Sequence, residues 1–235
     1  MNHPASQRCR WHAVLDTAAL ASAASTRVLD AASRSIRARG RFSVVLAGGN
    51  TPRASYELLR HADADWAAWH IYFGDERCAP RDDTQRNSRM ARTAWLAHVA
   101  IPAGQVHEIE GELGAEDAAR RTVETLAGVP DFDLVLLGLG EDGHTASLFP
   151  GHDAGSSRDA PDALAVFDAP KPPPERVSLS AQRLGRAREV VFLVAGEEKR
   201  QAVERWRRGD DIPARTIAPQ AGVDVLIEAR LLSPA

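Results

Sequence analysis

The sequence has 235 residues, of which 29 are basic and 32 are acidic, so that its net charge is −3, and 44% of its residues are apolar. This length suits one α/β domain, and we expect residues 1–235 to form a single domain with a large core. The balanced charge gives no reason to expect a nucleic-acid partner, and the longest apolar runs are far shorter than the ~20 residues that cross a bilayer, so we expect no membrane partner.

The cysteines and the N-terminus indicate the compartment. Cys9 and Cys78 lack C-x-x-C spacing, and the N-terminus lacks the apolar region of a signal peptide. Two such cysteines do not make a disulfide framework or a structural zinc site. We therefore expect a cytoplasmic protein.

Apolar runs and helical patterns alternate along the chain. Four runs are almost wholly apolar, as strands buried on both faces of a parallel sheet are. These runs begin at Phe42, His70, Asp133 and Glu189, and a fifth predicted strand is VDVLIEA from Val223. Helices are predicted over Asp16–Arg39, Pro52–Arg60, Thr84–His98, Glu116–Ala127 and Glu197–Arg207. The alternation predicts an α/β fold, a doubly wound and mostly parallel sheet flanked by helices.

The segment His152–Glu175 departs from this alternation. It is dense in Pro, Asp, Gly and Ser around one apolar patch, ALAVFDA. These residues favour turns, so we predict a long loop with one strand at most.

Ligands bind open parallel sheets at the carboxyl ends of the strands, so we consider those ends first. The first predicted strand ends in AGGNTP, where Gly48 and Gly49 favour a turn. Asn50 or Thr51 could cap a helix that begins at Pro52. The N-terminus of that helix suits a phosphate group, and a plain strand-to-helix turn is the alternative.

The second strand ends in FGDERCAP. Asp75, Glu76 and Arg77 cannot lie unpaired in a core, which leaves the rim of the sheet or a binding site. Arg77 could bind a phosphate, whereas the alternative is a solvated cluster of ion pairs. Cys78 has no base nearby in the sequence, and we interpret it as a packed residue rather than a nucleophile.

The strand that begins at Glu189 ends in VAGEEKR. Lys199 falls in the first turn of the next predicted helix, where a cation opposes the helix dipole. An anionic ligand would explain the lysine, and an ordinary surface lysine is the alternative.

The stretch GLGEDGHTASLFPG follows the strand that begins at Asp133 and contains the spacing G-x-G-x-x-G. A dinucleotide turn needs a long helix directly after it, but Pro150-Gly151 allows only about two helical turns. His144, two residues after Asp142, is instead a candidate general base, and the alternative is a cap on that short helix with Thr145. Asp142, His144 and His152 match no zinc spacing, so we expect no metal site.

These segments together resemble the glucosamine-6-phosphate isomerase/6-phosphogluconolactonase family, and within it the lactonases, from about Trp11 to the C-terminus. The matching segments are LAGGNTPRASYELL, WHIYFGDERCAPRDDTQRNSRMA, FDLVLLGLGEDGHTASLFPG, PKPPPERVSLSAQRL and VVFLVAGEEKRQAV. The first turn departs slightly from the lactonase pattern S-G-G-S-T-P, because Ala47 and Asn50 replace the two serines.

The resemblance implies a Rossmann-like fold similar to that of glucosamine-6-phosphate deaminase. It also implies cofactor-free hydrolysis of a sugar-phosphate lactone, 6-phospho-D-glucono-1,5-lactone, in the oxidative pentose phosphate pathway, by a monomer or weak homodimer. His144 would be the base and Asp142 would orient it. The implied substrate-binding residues are Gly48, Gly49, Asn50, Thr51, Asp75, Arg77, Asn87, Arg176 and Lys199. For Asn87 a helix cap, and for Arg176 a loop-anchoring salt bridge, are the alternatives.

Two other functions remain open. The deaminases of the same family have D-E-Y where this chain has Arg77 at the third position, and F-N-E-P where it has Ser147–Pro150. The motif glutamate of the deaminases is therefore missing, which favours the lactonase. A non-catalytic sugar-phosphate-binding module is the second alternative.

Overall fold

The computed structural model describes residues 7–233 and contains ten strands, six α-helices and seven short 3₁₀ helices. The strands are β1 (Cys9–Val14), β2 (Phe42–Leu46), β3 (Trp69–Phe73), β4 (Asp75–Arg77), β5 (Val106–His107), β6 (Phe132–Gly138), β7 (Ala163–Val166), β8 (Arg176–Leu179), β9 (Ala187–Val194) and β10 (Val223–Glu228). The helices are α1 (Thr17–Arg39), α2 (Asn50–Leu59), α3 (Asn87–Ala94), α4 (Ala115–Leu126), α5 (Ala181–Gly185) and α6 (Arg200–Arg208). The 3₁₀ helices are Trp66–Ala68, Leu96–His98, Ala103–Gln105, Gly111–Leu113, Glu197–Lys199, Pro213–Thr216 and Ala229–Leu231.

Seven strands form one parallel sheet in the order β1-β10-β9-β6-β2-β3-β5. Every residue of β2 is buried, as the apolar sequence of a central strand requires. The predicted α/β class and the mostly parallel sheet are confirmed. Most buried apolar residues from both halves of the described chain belong to one continuous core. Of the helices between residues 7 and 233, none combines the length and the hydrophobicity of a bilayer-spanning segment.

Helix α1 shows how the sequence sets its own boundaries. The Asp16 carboxylate accepts the N–H of Ala19 at 2.8 Å and caps the first turn. Gly40, with φ of 71°, ends the helix in the left-handed conformation that glycine adopts easily. The buried face consists of small and apolar residues three and four positions apart, which lets the helix lie close to the sheet.

The sequence prediction missed β1 and the two-residue strand β5 of the parallel sheet, and it missed the second sheet. In β1, Cys9 and Trp11 are half-buried while Arg10 and His12 are exposed, so the strand has the alternation of a sheet edge instead of an apolar run. The second sheet is antiparallel, in the order β4-β8-β7, and its strands have only three or four residues. The one strand allowed within His152–Glu175 is β7.

Three helix boundaries differ from the prediction. Helix α2 begins at Asn50 with Gly49 at its N-cap position, so the prediction of a side-chain cap by Asn50 or Thr51 was wrong. Helix α3 is shorter than predicted because Trp95, with φ of −153° and ψ of −57°, leaves the helical conformation. The helix predicted from Glu197 begins as a 3₁₀ turn, and α6 starts at Arg200.

Candidate active site

A cleft of about 450 Å³ lies at the carboxyl ends of β2, β6 and β9. This is the edge at which open parallel sheets bind ligands. The structure brings together ten of the eleven predicted site residues as lining of this one cleft. They are Gly48, Gly49, Asn50, Thr51, Asp75, Arg77, Asn87, His144, Arg176 and Lys199, and Asp142 contacts the cleft through His144.

His144 and Asp142 form a hydrogen-bonded pair after β6. The Nδ1 atom of His144 lies 2.5 Å from Oδ1 of Asp142, and the backbone N–H of His144 donates to the same oxygen at 3.1 Å. Although partial burial raises the pKa of Asp142, the hydrogen bonds from His144 outweigh it and lower the pKa to about 2. An ionised carboxylate only accepts hydrogen bonds, so the proton between the two side chains belongs to Nδ1 of His144.

This tautomer leaves Nε2 of His144 as the basic ring nitrogen. In the described part of the chain Nε2 has no hydrogen-bond partner, and the ring lines the cleft at 23% side-chain exposure. The ring packs against Phe149, with 4.8 Å between the two ring centroids and 48° between the ring planes. The pair therefore presents an oriented base to the cleft.

Two of the three glycines of the G-x-G-x-x-G spacing, Gly140 and Gly143, have packing roles around this pair. A Cβ atom on Gly140 would lie 2.0 Å from Nδ1 of His144, so only glycine leaves room for the ring. Gly143 has φ of 89°, and a Cβ there would lie 2.8 Å from Ile212. The carbonyl of Gly138 accepts a hydrogen bond from the Thr145 hydroxyl.

The segment after Gly143 forms turns and one isolated bridge instead of the predicted short helix. The interpretation of His144 as a cap on such a helix was therefore wrong. The absence of a helix over residues 141–150 also confirms that the context of a dinucleotide turn is missing. We call residues 141–150 the base turn.

The turn after β2, residues 48–51, leads into helix α2. The hydroxyl of Tyr56 in α2 donates to the carbonyl of Ala47 and accepts its N–H, both at 3.0 Å, so the helix is fixed to the end of β2. The first backbone N–H that bonds within the helix is that of Arg53, to the carbonyl of Gly49. The preceding N–H groups of the turn have no backbone acceptor among the described residues and point from a helix N-terminus. We call residues 48–51 the phosphate turn, after the role that we propose for it below.

Arg77 and Arg176 lie directly opposite each other on the antiparallel strands β4 and β8. Neither guanidinium has a carboxylate within 4.0 Å anywhere in residues 7–233, so the salt bridge suggested for Arg176 is not formed. Arg176 instead donates to the carbonyls of Lys171 and Pro173. Burial, followed by the charge of Arg77, lowers the pKa of Arg176. Like charges at opposite positions destabilise a sheet, so this pair favours an anion in the cleft.

Two lysines add to the positive lining. Lys199 lies on the 3₁₀ turn after β9, with its Nζ 3.7 Å from the Glu198 carboxylate. The sequence analysis did not single out Lys171, which is 3.0 Å from Glu141 across the mouth of the cleft. Lys171 lies in the segment PKPPPER, which matches the family but in which the sequence alone indicated no role for the lysine. Four cationic side chains and two acidic ones, Asp75 and Glu198, line the cleft.

Asp75 and Glu76 are buried, so the alternative of a solvated ion-pair cluster was wrong for both. Glu76 is fully buried and accepts the backbone N–H groups of Arg77, Asn87 and Ser88. Burial raises the pKa of Glu76, although these hydrogen bonds oppose the effect. Glu76 therefore fixes the start of α3, and Asn87 with it, beside the cleft.

Cys78 follows strand β4, and its environment agrees with the prediction of a packed residue that is not a nucleophile. Burial, reinforced by the nearby carboxylates of Glu175 and Glu76, raises the pKa of the Cys78 thiol to about 11. A thiol with such a pKa is protonated at neutral pH and is a poor nucleophile.

Between residues 7 and 233, no group of three or more His, Cys, Asp or Glu side chains is arranged to hold a metal ion.

The chain is similar in sequence to a known family and to proteins within it. Residues 15–226 match the model of the family described as glucosamine-6-phosphate isomerases/6-phosphogluconolactonase. A 6-phosphogluconolactonase from Mycobacterium tuberculosis is 39% identical over 213 residues, which cover 83% of this chain and 85% of the relative. One from Synechocystis is 37% identical over 208 residues, with 83% and 85% covered.

Solved structures agree with the sequence comparison. The 6-phosphogluconolactonase from Thermotoga maritima superposes with a TM-score of 0.86 at 26% identity, covering 94% of this chain and all of that one. The enzyme of the same name from Trypanosoma brucei gives 0.84 at 27% identity, with 96% and 98% covered. A monomeric glucosamine-6-phosphate deaminase shares the fold, with a TM-score of 0.82 at 18% identity. The chain belongs to the glucosamine-6-phosphate isomerase/6-phosphogluconolactonase family.

Proposed function

We propose that the protein hydrolyses 6-phospho-D-glucono-1,5-lactone to 6-phospho-D-gluconate, a step of the oxidative pentose phosphate pathway. One observation carries the proposal. The cleft combines a basic nitrogen, Nε2 of His144 oriented by Asp142, with guanidinium groups that have no carboxylate partner within residues 7–233. A base and an anion site in one cleft are what the hydrolysis of a phosphorylated lactone needs. The 6-phosphogluconolactonase names of the relatives support the same substrate.

The phosphate group of the substrate binds between the phosphate turn and the cationic side chains. The N–H groups of residues 48–51 point from the N-terminus of α2, and Arg77, Arg176 and Lys199 supply positive charge. A charge-assisted hydrogen bond of this kind contributes about 1.5–3 kcal/mol. Binding at the phosphate fixes the lactone carbonyl relative to His144, so that the reaction step becomes effectively intramolecular.

The chemistry needs only water and these side chains. Nε2 of His144 accepts a proton from water as the water oxygen attacks C1 of the lactone. The imidazolium that forms is stabilised by the Asp142 carboxylate. Backbone N–H groups and the cationic side chains of the cleft are the available donors for the oxyanion on C1. When the bond from C1 to the ring oxygen breaks, His144 returns the proton to that oxygen, which becomes a hydroxyl group.

The deaminase alternative conflicts with Phe149, which stands where the deaminase motif has a glutamate. The sequence alignment with the deaminase motif F-N-E-P puts Phe149 where that motif has glutamate. Phe149 is buried, lines the cleft and contacts the His144 ring. An apolar ring cannot transfer protons to or from an amino sugar, so the geometry supports lactone hydrolysis over deamination.

The test is the release of acid. Fresh 6-phosphogluconolactone is added to the purified protein, and proton production is followed with a pH indicator against the spontaneous rate. We expect strong acceleration, and no ammonia from glucosamine 6-phosphate. Acid release at the spontaneous rate, or ammonia production, contradicts the proposal.

We further propose that the enzyme acts in the cytoplasm as a monomer or weak homodimer. The two cysteines are free thiols, as in a reducing compartment, and one chain supplies all the residues of the cleft. Analytical ultracentrifugation at micromolar concentration should therefore show monomer, and the specific activity should stay the same when the protein is diluted further. Activity that is lost on dilution to monomer contradicts this part of the proposal.

A further inference from the structure

Asp75 connects the two turns that form the cleft. Its Oδ2 atom accepts the hydroxyl of Ser147 at 2.6 Å, and its Oδ1 atom accepts the side-chain amide of Asn87 at 3.0 Å. Ser147 belongs to the base turn. All three side chains are at least nine-tenths buried, so water does not compete for these hydrogen bonds.

Asn87 extends this connection to the phosphate turn. Its amide nitrogen also donates to the backbone carbonyl of Asp75 at 2.9 Å, which fixes the orientation of the amide. The amide oxygen then lies against Gly48, so closely that a Cβ atom on Gly48 would be 2.0 Å from it. The position of the phosphate turn is therefore limited by the side chain that Asp75 holds.

Ser147 makes the corresponding contact on the other side. It follows His144 by three residues, and its buried hydroxyl donates to Asp75. The residue before it, Ala146, lines the cleft with φ of 49°, a left-handed conformation that costs energy for any residue except glycine. Such a conformation persists where the surrounding contacts hold it, and the Ser147 hydroxyl supplies one of them.

Asp75, on the antiparallel sheet, differs from the buried aspartates of the parallel sheet. Asp133 and Asp224 are neutralised by arginines at 2.6 Å, whereas Asp75 has no cation within 4.0 Å in the described residues. A buried carboxylate without a counter-ion is unfavourable unless hydrogen bonds compensate it. Its position between the two turns, and its lack of an ion pair, indicate a role in the site.

We propose that Asp75 is a positioning residue, whose carboxylate fixes the base turn relative to the phosphate turn through Ser147 and Asn87. This inference rests on the proposed lactonase activity. The phosphate of a bound lactone determines where the carbonyl lies, and the base turn determines where Nε2 of His144 lies. Productive attack requires the reacting atoms to be about 3–3.5 Å apart, so a small displacement between the turns slows the reaction without weakening binding.

The test compares two buried serines that each bond to a buried aspartate, one on the antiparallel sheet and one on the parallel sheet. Ser147→Ala removes the bond to Asp75, and Ser43→Ala removes the hydroxyl that lies 3.0 Å from Asp133, away from the cleft. Melting temperature, kcat and KM for 6-phosphogluconolactone are measured for both variants. We expect both to melt a few degrees below wild type. Only Ser147→Ala should lose kcat, by roughly 10-fold, with KM within about twofold of wild type.

A pH profile separates positioning from a change in the base. Ser147→Ala leaves the Asp142–His144 pair and the charge of Asp75 in place. The pH at which kcat is half-maximal should therefore equal that of wild type, while the plateau is lower. A shifted midpoint would assign the loss to the titration of the base and would overturn the inference.

Asp75→Asn supplies a second variant of nearly the same size. Combined with Ser147→Ala, it should give a kcat within about twofold of Ser147→Ala alone, because the bond between the two turns is already lost. Fully additive losses would show that Asp75 acts through its charge, and a wild-type kcat in Ser147→Ala would show that the connection is not needed. Either result overturns the inference while wild type stays active. An inactive wild type instead overturns the proposed function and, with it, this inference.

Discussion

The two ends of the parallel sheet each contain a histidine–aspartate pair, but the surroundings of the pairs differ. His144 lies 2.5 Å from Asp142 in the cleft, and His12 lies 2.6 Å from Asp224 towards the amino ends of the strands. Hydrogen bonds outweigh burial in both carboxyls and lower each pKa to about 2. Asp142 has histidine as its one side-chain partner among the described residues, whereas Asp224 also accepts two arginines.

The amino ends of the strands carry a network in which cations and carboxylates neutralise one another. Its ion pairs include Arg10–Asp224, Arg27–Asp224, Arg27–Glu189, Arg34–Glu189, Arg39–Asp133 and Arg188–Asp133. In the cleft, Arg77 and Arg176 have no such partners between residues 7 and 233. The same residue types therefore stabilise the fold at one end, and at the other end they are left available for an anion and a reaction.

The largest contrast should come from the two histidines. His144→Ala removes the base, so kcat for the lactone should fall by ~10²–10⁴-fold while the fold is retained. His12→Ala is the matched control, because it removes a histidine from an equally short pair and should leave kcat unchanged. Initial rates of acid release measure both. Equal activity of the two variants would mean that the cleft histidine has no special role.

Asp142 should matter less than the histidine that it orients. Asp142→Ala leaves the imidazole free to rotate and to adopt the other tautomer, so kcat should fall by roughly 10- to 100-fold. The change in KM should be small, because Asp142 does not line the cleft. A loss confined to KM, measured over a full range of substrate concentrations, would contradict the orienting role.

Removing a cation from the cleft should weaken substrate binding, whereas removing one from the amino ends of the strands should not. Arg77→Ala should raise KM for the phosphorylated lactone by roughly 10-fold or more, because a charge-assisted contact is lost. With glucono-1,5-lactone, which lacks the phosphate, the variant and wild type should be similar. Arg188→Ala is the control, since Arg188 is an exposed partner of Asp133 at 3.5 Å. An equal rise of KM for both lactones would place Arg77 away from the phosphate.

The smallest effect concerns stability and belongs to the amino-end pair. The side chain of Asp224 is 6% exposed, and its pKa falls from 3.8 to about 2 on folding. A lowered pKa stabilises the fold above the unfolded value, by about 2 kcal/mol here, and this contribution is lost as the pH falls from about 4 towards 2. Asp224→Asn should therefore destabilise the protein at pH 7, and its difference from wild type should shrink at low pH. Urea titrations measure this, and a difference independent of pH would contradict it.

Much of the fold could be predicted from the sequence because its signals are local. The five predicted strands are all present in the parallel sheet, since unbroken apolar runs specify strands that are buried on both faces. Strand β1 was missed because the prediction relied on unbroken apolar runs. An edge strand instead alternates, and in β1 the half-buried Cys9 and Trp11 alternate with exposed polar residues. Strands β4 and β8 were missed because three or four residues that pair across 100 positions leave no periodic signal.

The candidate site was predicted less evenly. The carboxyl-end rule predicted which turns meet, and the structure places those residues in one cleft. The roles of Ser147 and Gly140 could not be predicted, because they depend on distances between turns and not on the residue types. Lys171 lies in a proline-rich loop whose path no local pattern specifies. The buried state of Asp75 depends on β8, which the sequence analysis did not find.

The facing guanidinium groups of Arg77 and Arg176 have a thermodynamic consequence for the folded protein. The charge of Arg77 lowers the pKa of Arg176, so a dianion bound beside both groups would contribute its own interaction energy and would also relieve this repulsion in the native state. By mass action such a ligand stabilises the folded protein by RT ln(1 + L/Kd), where L is the free ligand concentration, so the melting temperature rises with the ligand concentration. The reaction product keeps the phosphate of the substrate, so 6-phosphogluconate should act as a stabilising ligand of the enzyme that makes it.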